Sequence, residues 1–221
     1  MTQPTPRKRA THPSLAAKKR PSQQRAAVTY EHILAITAEL LGEVGFERLS
    51  TNLVCARAGL TPPALYQYFP NKYALLSELG QRLMQRQNEV IPRWINREVF
   101  TGSVADLEKA LTGLILDTYS VTKQTPGGVW ILRALRAVPL LEQVRLDSHK
   151  AVAAAQTRLL GEAFPDVPTK QLALVSRVAV DLPYAAVEML FDVKMNARAV
   201  AQLVAAMIAS QLDRLRSAAR G

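Results

Sequence analysis

Apolar residues recur at helical spacing through most of the chain after residue 25, and this pattern predicts a succession of helices. The first helix is predicted over residues 26–44. Its apolar stripe consists of Ile33, Thr37, Leu40, Leu41 and Val44. Gly45 suits the position just after a helix, because glycine adopts the left-handed conformation without a steric penalty. This helix is expected to pack beneath the segment that follows it.

Residues 50–72 predict two short helices joined by a tight turn. Ser50 is a good N-cap for the first, and Gly59 is suited to end it. Thr61 precedes the second helix, whose first turn holds two prolines at positions where amide hydrogens have no helical partner. Leu65 and Phe69, four residues apart, form one buried face. Two helices joined by such a turn form a helix-turn-helix, whose second helix lies in the DNA major groove.

The same stretch resembles the tetracycline-repressor (TetR) family of bacterial regulators. The resemblance rests on LYQYFPNK at residues 65–72, AGLT at residues 58–61 and EVGF at residues 43–46. It covers roughly residues 28–80, about a quarter of the chain. The fold it implies is all-α, with an N-terminal three-helix helix-turn-helix domain and a C-terminal helical domain for ligand binding and dimerisation, about nine helices in total.

The pattern beyond residue 72 predicts further helices. A long one runs from Lys72 to about Ile91, where Pro92 ends or kinks it. Residues 93–103 are predicted to be a connection. The later helices are predicted over residues 104–124, 129–137, 139–164, 169–193 and 197–217. These predictions divide the chain into a basic disordered tail (1–24), a helix-turn-helix domain (25–80) and a helical ligand-binding and dimerisation domain (81–221).

Positive charge is concentrated at the N-terminus. The formal net charge is +10, and residues 1–30 hold seven basic groups and no acidic one. Residues 1–24 contain four prolines and few apolar side chains, so they cannot bury enough surface to fold alone. We expect an arm that is disordered when free and that lies along DNA phosphates or enters the minor groove when bound. A solvated leader without a function is the alternative.

Composition excludes several classes of protein. The single cysteine, Cys55, provides neither a disulfide framework nor a cysteine-based zinc site, and it is expected to be a small buried hydrophobe. No run approaches the ~18 apolar residues of a membrane span, and the N-terminus lacks the apolar core of a secretory signal. A cytoplasmic protein without membrane association is therefore expected. Because no nucleophile–base pair, phosphate loop or metal-ligand cluster is present, we predict no enzyme activity, no cofactor and no metal.

DNA contacts are expected from both helices of the motif. Gln67 can bond an adenine edge, and Ala64 with the two proline rings offers apolar contact to a thymine methyl. By the resemblance, Tyr66 and Tyr68 contact phosphates or base edges, although Tyr66 has the alternative of packing against neighbouring helices. Lys72 lies at a helix N-terminus that suits a backbone phosphate. The predicted DNA-binding residues are Ser50, Thr51, Asn52, Thr61, Pro62, Pro63, Ala64, Tyr66, Gln67, Tyr68 and Lys72.

The last two predicted helices carry wide apolar stripes rich in small residues. The stripes comprise Leu174, Val178, Leu182, Ala185 or Ala186, Met189 and Val193 on one helix, and Val200, Leu203, Val204, Met207, Ile208, Gln211, Leu212 and Leu215 on the other. By the resemblance, both helices form a four-helix bundle with the same pair of a second subunit, which gives a homodimer. Closure of a monomer's core is the alternative.

The resemblance also implies a small-molecule pocket in the middle of the chain. The candidate effector-binding residues are Asp117, Tyr119, Trp130, Arg133, Tyr184, Glu188 and Met189. Pro183 frees the carbonyl of Ala179 and is expected to bend its helix, which opens space. The aromatic and acidic candidates suit a hydrophobic or cationic effector, whereas Arg133 and Arg136 suit an acidic one.

These features together predict a sequence-specific DNA-binding transcriptional regulator. The leading hypothesis is a dimeric repressor that a small-molecule effector of unknown identity releases from a palindromic operator in double-stranded DNA. One alternative is a DNA-binding dimer without a small-molecule switch, acting in chromosome organisation or constitutive control. Another is an all-helical carrier of hydrophobic molecules with an accidental motif.

Overall fold

The computed structural model describes residues 13–18 and 24–218, and this part of the chain contains helices and turns but no strand. The helices are α1 (Gln24–Arg48), α2 (Thr51–Ala58), α3 (Pro62–Tyr66), α4 (Lys72–Glu89), α5 (Ile91–Trp94), α6 (Arg97–Thr101), α7 (Val104–Gln124), α8 (Gly128–Ala137), α9 (Glu142–Ala163), α10 (Thr169–Asp192) and α11 (Ala197–Ala218). A 3₁₀ turn, Pro139–Leu141, precedes α9. The all-α prediction is confirmed.

Capping residues set the ends of the first helices. The Ser50 side chain accepts a hydrogen bond from the amide of the third residue of α2, and Gly59 ends α2 with a φ of 65°. Asn71 caps α4 in the same way through its side chain. Thr61 occupies the N-cap position of α3 without a side-chain hydrogen bond. Gly45, with a φ of 74°, interrupts α1 shortly before its end, so the helix resumes for one short turn where the sequence predicted a stop.

The stretch predicted as a connection, residues 93–103, instead contains the second half of α5 and all of α6. Pro92 lies in the first turn of α5, where a proline removes no helical hydrogen bond. Asn96 caps α6, its side chain accepting from the amide of Val99 at 3.0 Å. The prediction was wrong here because helices of four and five residues are too short to show a helical period.

One hydrophobic core joins the helix-turn-helix to α8. Leu65 and Phe69 are fully buried in it, as predicted, together with Ile131 and Leu135 of α8. Gly80 of α4 lies so close to Leu135 that a Cβ there would come within 2.6 Å of its side chain. A second core lies mainly between α7, α9, α10 and α11. Because α8 packs against α1 and α4, the C-terminal helices contact the two helices that support the motif.

The predicted stripe of α11 serves two surfaces. Ile208 and Leu212 are buried, and α11 packs most extensively against α7. Leu203 and Met207, by contrast, expose 64% and 57% of their surface. The stripe of α10 is largely exposed, with the large apolar side chains at Leu174, Val178, Leu182, Met189 and Val193. Part of α11 therefore closes the subunit's own core, while an apolar surface on both helices faces solvent.

Candidate nucleic-acid interface

The helix-turn-helix is held in place by ties to α1 and α4. Arg57 of α2 donates two hydrogen bonds to the Glu43 carboxylate of α1, at 3.0 and 2.8 Å. Arg82 of α4 pairs with Glu31 of α1 at 2.5 and 2.8 Å. Burial of Cys55 in α2 raises the pKa of its thiol, as expected for a structural cysteine. These contacts hold the motif on a rigid support. A binding site needs such a support if its side chains are to be placed precisely.

Tyr66 links the two helices of the motif. Its hydroxyl lies 3.1 Å from Oγ1 of Thr51, the first residue of α2. The ring is not packed away, since 38% of the residue is exposed. This contact joins the start of α2 to the end of α3 at the surface. Because the Tyr66 hydroxyl is at the surface, it can exchange its hydrogen bond with Thr51 for one with another group.

Tyr68 and Lys72 are more engaged with the protein than the sequence suggested. The Tyr68 ring meets the edge of Tyr30 at a centroid distance of 6.1 Å and is half-buried. The Lys72 ammonium lies 3.4 and 3.3 Å from the carbonyl oxygens of Phe46 and Leu49, and 4.3 Å from the centre of the Phe46 ring. It therefore stabilises the connection between α1 and α2, and only part of its hydrogen-bonding capacity is left for a phosphate.

The eleven predicted DNA-binding residues lie on one contiguous segment of the fold, residues 50–72, and none is buried. Those exposed are Ser50, Asn52, Thr61, Pro62, Pro63, Tyr66 and Gln67, and those half-buried are Thr51, Ala64, Tyr68 and Lys72. In and just after α3, Leu65 and Phe69 are buried, whereas Gln67 and both prolines are exposed to solvent. This arrangement presents an amide and apolar rings on a rigid surface. Such groups can contact base edges in a major groove.

The seven predicted effector-binding residues do not meet in one place. Asp117 accepts hydrogen bonds from Trp94 and Arg93, at 2.8 and 3.1 Å, in an open groove between α7 and α11. Tyr119 stacks on Phe191, with ring centroids 4.8 Å apart. The other positions are as follows: Trp130 and Met189 are exposed, Arg133 pairs with Asp192, Glu188 pairs with Arg136, and Tyr184 is buried.

Tyr184 lines a small cavity of about 40 Å³ between α5, α7, α9 and α10. Its hydroxyl donates to Asn88 Oδ1 at 2.9 Å, and burial raises its pKa well above the ordinary value. The cavity wall carries no charged side chain; it consists of Ile91, Ile95, Leu111, Leu114, Thr118, Val152, Gln156, Ala179, Val180, Pro183 and Tyr184. Sequence reasoning missed most of these residues because an apolar cavity lining has the same pattern as an ordinary core.

Two other kinds of site are absent from the described residues. No group of three or more metal-ligating side chains lies close enough there to hold an ion. Among the same residues, no helix combines the length and hydropathy needed to cross a bilayer. The exposed motif is one feature of the described residues that invites a functional interpretation, and the small cavity beside Tyr184 is another.

Comparison with known proteins agrees with the fold and with the motif. Residues 33–79 match the family described as bacterial regulatory proteins, tetR family. The class C tetracycline repressor of Escherichia coli is 41% identical over 54 residues, a segment that spans 24% of this chain and 25% of that protein. The HTH-type transcriptional regulator UidR of Escherichia coli K12 is 24% identical over 168 residues, 73% of this chain and 81% of that protein.

A solved structure extends the likeness to nearly the whole fold. The putative TetR-family transcriptional regulator from Syntrophomonas wolfei superposes with a TM-score of 0.62 at 14% identity, covering 90% of this chain and 97% of that chain. Fold and motif together define an all-helical helix-turn-helix protein. Residues 33–79 of this chain therefore carry the motif of the tetR family of bacterial regulatory proteins, and the fold is similar to that of a solved structure described as a member of it. That family consists of regulators and not of enzymes.

Proposed function

We propose that this protein is a transcriptional regulator that reads a palindromic operator in double-stranded DNA as a homodimer. The observation that carries the proposal is the exposed surface of α3. Leu65 and Phe69 fix that helix from below, while the Gln67 side chain has no hydrogen-bond partner among the described residues. An unpaired amide on a rigid, exposed helix can make the bidentate contact that identifies adenine.

Selection of bound sequences from random duplex DNA tests this proposal. The wild-type protein should enrich a palindrome whose half-sites lie roughly 34–36 Å apart, one helical turn. Gln67→Ala should relax the preference at one position in each half-site, because a bidentate contact provides about 1–3 kcal/mol of discrimination. Tyr66→Ala should weaken the enrichment of the whole palindrome.

The matched control is Gln171→Ala, which changes an exposed glutamine of α10 and should leave the selected sequence unchanged. Enrichment of no sequence, together with equal salt-sensitive binding by wild type and Tyr66→Ala, would contradict the proposal. The protein would then be a basic N-terminal segment on a helical body that binds DNA without reading it.

We also propose that a small molecule controls operator binding. The support is the cavity beside Tyr184, which lies between helices whose movement would reach the motif. Its lining is uncharged, and Pro183 leaves the Ala179 carbonyl without the usual amide partner four residues on. A neutral, largely apolar effector with a hydroxyl or amide group fits this lining. Its binding would lower operator affinity through a coupling free energy of about 1–3 kcal/mol.

The tetracycline repressors that match the motif suggest that this regulator represses transcription and does not activate it. The second candidate is a DNA-binding dimer without a small-molecule switch. The size of the cavity favours this candidate, because about 40 Å³ holds little more than one water molecule and an effector would have to widen it. An operator complex that resists a broad library of neutral and charged metabolites would decide for the second candidate.

A further inference from the structure

Gln87 of α4 is a buried amide whose hydrogen bonding is incomplete. The residue exposes 0% of its surface, and its Nε2 donates to Oγ1 of Thr122 on α7 at 2.7 Å. Its carbonyl oxygen, Oε1, has no hydrogen-bond partner among the residues that the structure describes. A buried acceptor without a donor is costly, so an oxygen of this kind is rare in folded proteins and requires an explanation.

The neighbouring hydrogen bonds determine which way round the Gln87 amide lies. The Thr122 hydroxyl donates its one hydrogen to the Thr118 carbonyl at 2.9 Å, so toward Gln87 it can only accept. The NH₂ group of Gln87 must therefore face Thr122, because it is the donor of that amide. A flipped amide would place two acceptors against each other. Oε1 is thus turned away from Thr122 and is left for another donor.

The pair formed by Gln87 and Thr122 lies about one helical turn from the cavity beside Tyr184. Ile91 and Thr118 both line that cavity. Ile91 follows Gln87 by four residues, and Thr118 precedes Thr122 by four. The residue between α4 and α5 keeps right-handed helical dihedral angles, so the chain continues as a helical turn from Gln87 to Ile91. Four helical residues span about 6 Å, so an effector that widens the cavity toward Gln87 reaches Oε1 within about one turn.

The hydroxyl groups on the cavity wall use their hydrogens within the protein. The Tyr184 hydroxyl donates to Asn88 Oδ1 at 2.9 Å, and the Thr118 hydroxyl donates to a main-chain carbonyl one turn earlier at 2.8 Å. The other polar side chain of the lining, Gln156, has an amide that can either donate or accept. Neither wall hydroxyl is free to supply Gln87 with a hydrogen, so a ligand has to bring its own donor.

We propose that Oε1 of Gln87 selects the effector, which is a neutral, largely apolar molecule with a hydrogen-bond donor, such as an alcohol, a phenol or an amide. This inference rests on the effector-binding cavity proposed above and adds a requirement to it. An ether of the same size fits the apolar wall equally well but leaves Oε1 without a hydrogen. A site with a buried acceptor rejects such a molecule more strongly than an apolar wall alone would.

Two pairs of isomers test this requirement, because the members of a pair have the same atoms but differ in whether they can donate. The first pair is 1-hexanol and dipropyl ether, and the second is benzyl alcohol and anisole. Isothermal titration calorimetry measures their binding to the full-length protein without DNA. Each alcohol should bind the wild-type protein about tenfold more tightly than its ether isomer, because a buried oxygen left unpaired costs about that much.

Gln87→Met removes the acceptor and keeps a side chain of similar volume. In this variant each alcohol and its ether isomer should bind with affinities within about twofold of each other, because neither then leaves a buried oxygen unpaired. Since Gln87 is fully buried, loss of the preference would also place the bound probe inside the protein. The matched control is Gln156→Met, which changes a glutamine of the cavity wall and should keep the preference for the alcohol. Thermal unfolding confirms that each variant is folded, and the comparison of isomers on the wild-type protein depends on neither variant.

Equal binding of alcohol and ether by the wild-type protein would overturn the inference, and so would binding of neither. A preference that survives Gln87→Met would overturn it too, and loss of that preference in Gln156→Met would assign the acceptor to Gln156 instead. These results leave the reading of DNA in place, because selection of an operator sequence tests that function separately. Failure of the wild-type protein to enrich any DNA sequence would refute the DNA-reading function and leave the isomer preference unchanged.

Discussion

His149 of α9 is buried against α10 and joins a polar network there. Its Nδ1 lies 2.7 Å from Asp181 Oδ1, and its ring stacks on Tyr184 with centroids 4.1 Å apart. Burial lowers the pKa of His149, and the charges of Arg145 and Arg177 act in the same direction against the opposing effect of Asp181. The imidazole is therefore neutral near pH 7 and donates its Nδ1 hydrogen to the carboxylate.

This pKa shift makes stability depend on pH. The folded pKa lies below the ordinary 6.5, so the unfolded chain takes up a proton first as the pH falls. The contribution of His149 is complete above pH 6.5 and is lost as the pH falls through the folded pKa. The free energy of unfolding in urea should fall between pH 7 and pH 5 in wild type, and His149→Phe, which keeps a ring against Tyr184, should reduce that decline.

The control at this scale is His32→Phe, which changes an exposed histidine and should leave the pH dependence as in wild type. Asp181 titrates at lower pH, because its own pKa is lowered from 3.8, and it keeps Arg177 as a partner at 2.6 Å in the variant. An undiminished decline in His149→Phe would show that other groups cause the pH dependence.

Two glycines at the ends of helical elements have nearly the same backbone conformation but different surroundings. Gly59 has a φ of 65° and no atom within 4 Å of the place where a Cβ would lie. Gly127 precedes α8 with a φ of 64°, and a Cβ there would lie 2.5 Å from the Ala38 carbonyl oxygen of α1. The turn before α8 thus fits against α1 only because residue 127 has no side chain.

Alanine at each position separates backbone strain from this close contact. Gly59→Ala should cost about 1–2 kcal/mol of unfolding free energy, the penalty for a left-handed residue with a Cβ. Gly127→Ala should cost the same strain and about 1–3 kcal/mol more, because α8 has to move away from α1. Urea unfolding measures both. Equal losses would mean that the junction between α1 and α8 is loose enough to absorb a methyl group.

At the scale of elements, the sequence predicts whatever depends on neighbouring residues. The cap at Ser50 and the glycine that ends α2 were predicted correctly, because a cap acts within about four residues. The hydrogen-bond partner of Tyr66 was not predictable. Thr51 lies fifteen positions away in the sequence, and a local sequence pattern does not show which residues so far apart come into contact. Lys72 illustrates the same limit: its charge is plain in the sequence, but its orientation depends on carbonyl groups of a distant turn.

The cavity shows a second limit of sequence reasoning. The effector-binding candidates were chosen for polarity, and six of the seven lie outside the cavity beside Tyr184. Four of these six form ion pairs or ring contacts with other helices. A lining drawn from α5, α7, α9 and α10 depends on how helices pack, and its apolar members look like core residues in the sequence. Fold class and the position of the motif are local information, whereas a cavity is a property of the assembled molecule.

For the molecule as a whole, the exposed apolar surface of α10 and α11 is the feature most in need of an explanation. Leu174 and Leu203 expose 66% and 64% of their surface, and Val178 and Met207 add to the same unpaired stripes. Large contiguous apolar patches on a folded protein mark interaction sites. Two copies that pair these helices around a twofold axis would bury the patch and present two motifs to a palindrome.

Charge placed on this surface should therefore separate the subunits. We expect sedimentation velocity to give wild type as a dimer of the 24.3 kDa chain, and Leu174→Glu with Leu203→Glu as a folded monomer, because the paired surface cannot solvate two carboxylates. Val28→Glu is the matched control, since Val28 of α1 is 65% exposed and lies outside the patch. The monomeric variant should also bind a single half-site and the whole palindrome with equal affinity. The reason is that the affinity gained from two linked motifs is lost. A wild-type protein that sediments as a monomer at micromolar concentration, or a double variant that stays dimeric, would place the interface elsewhere or remove it.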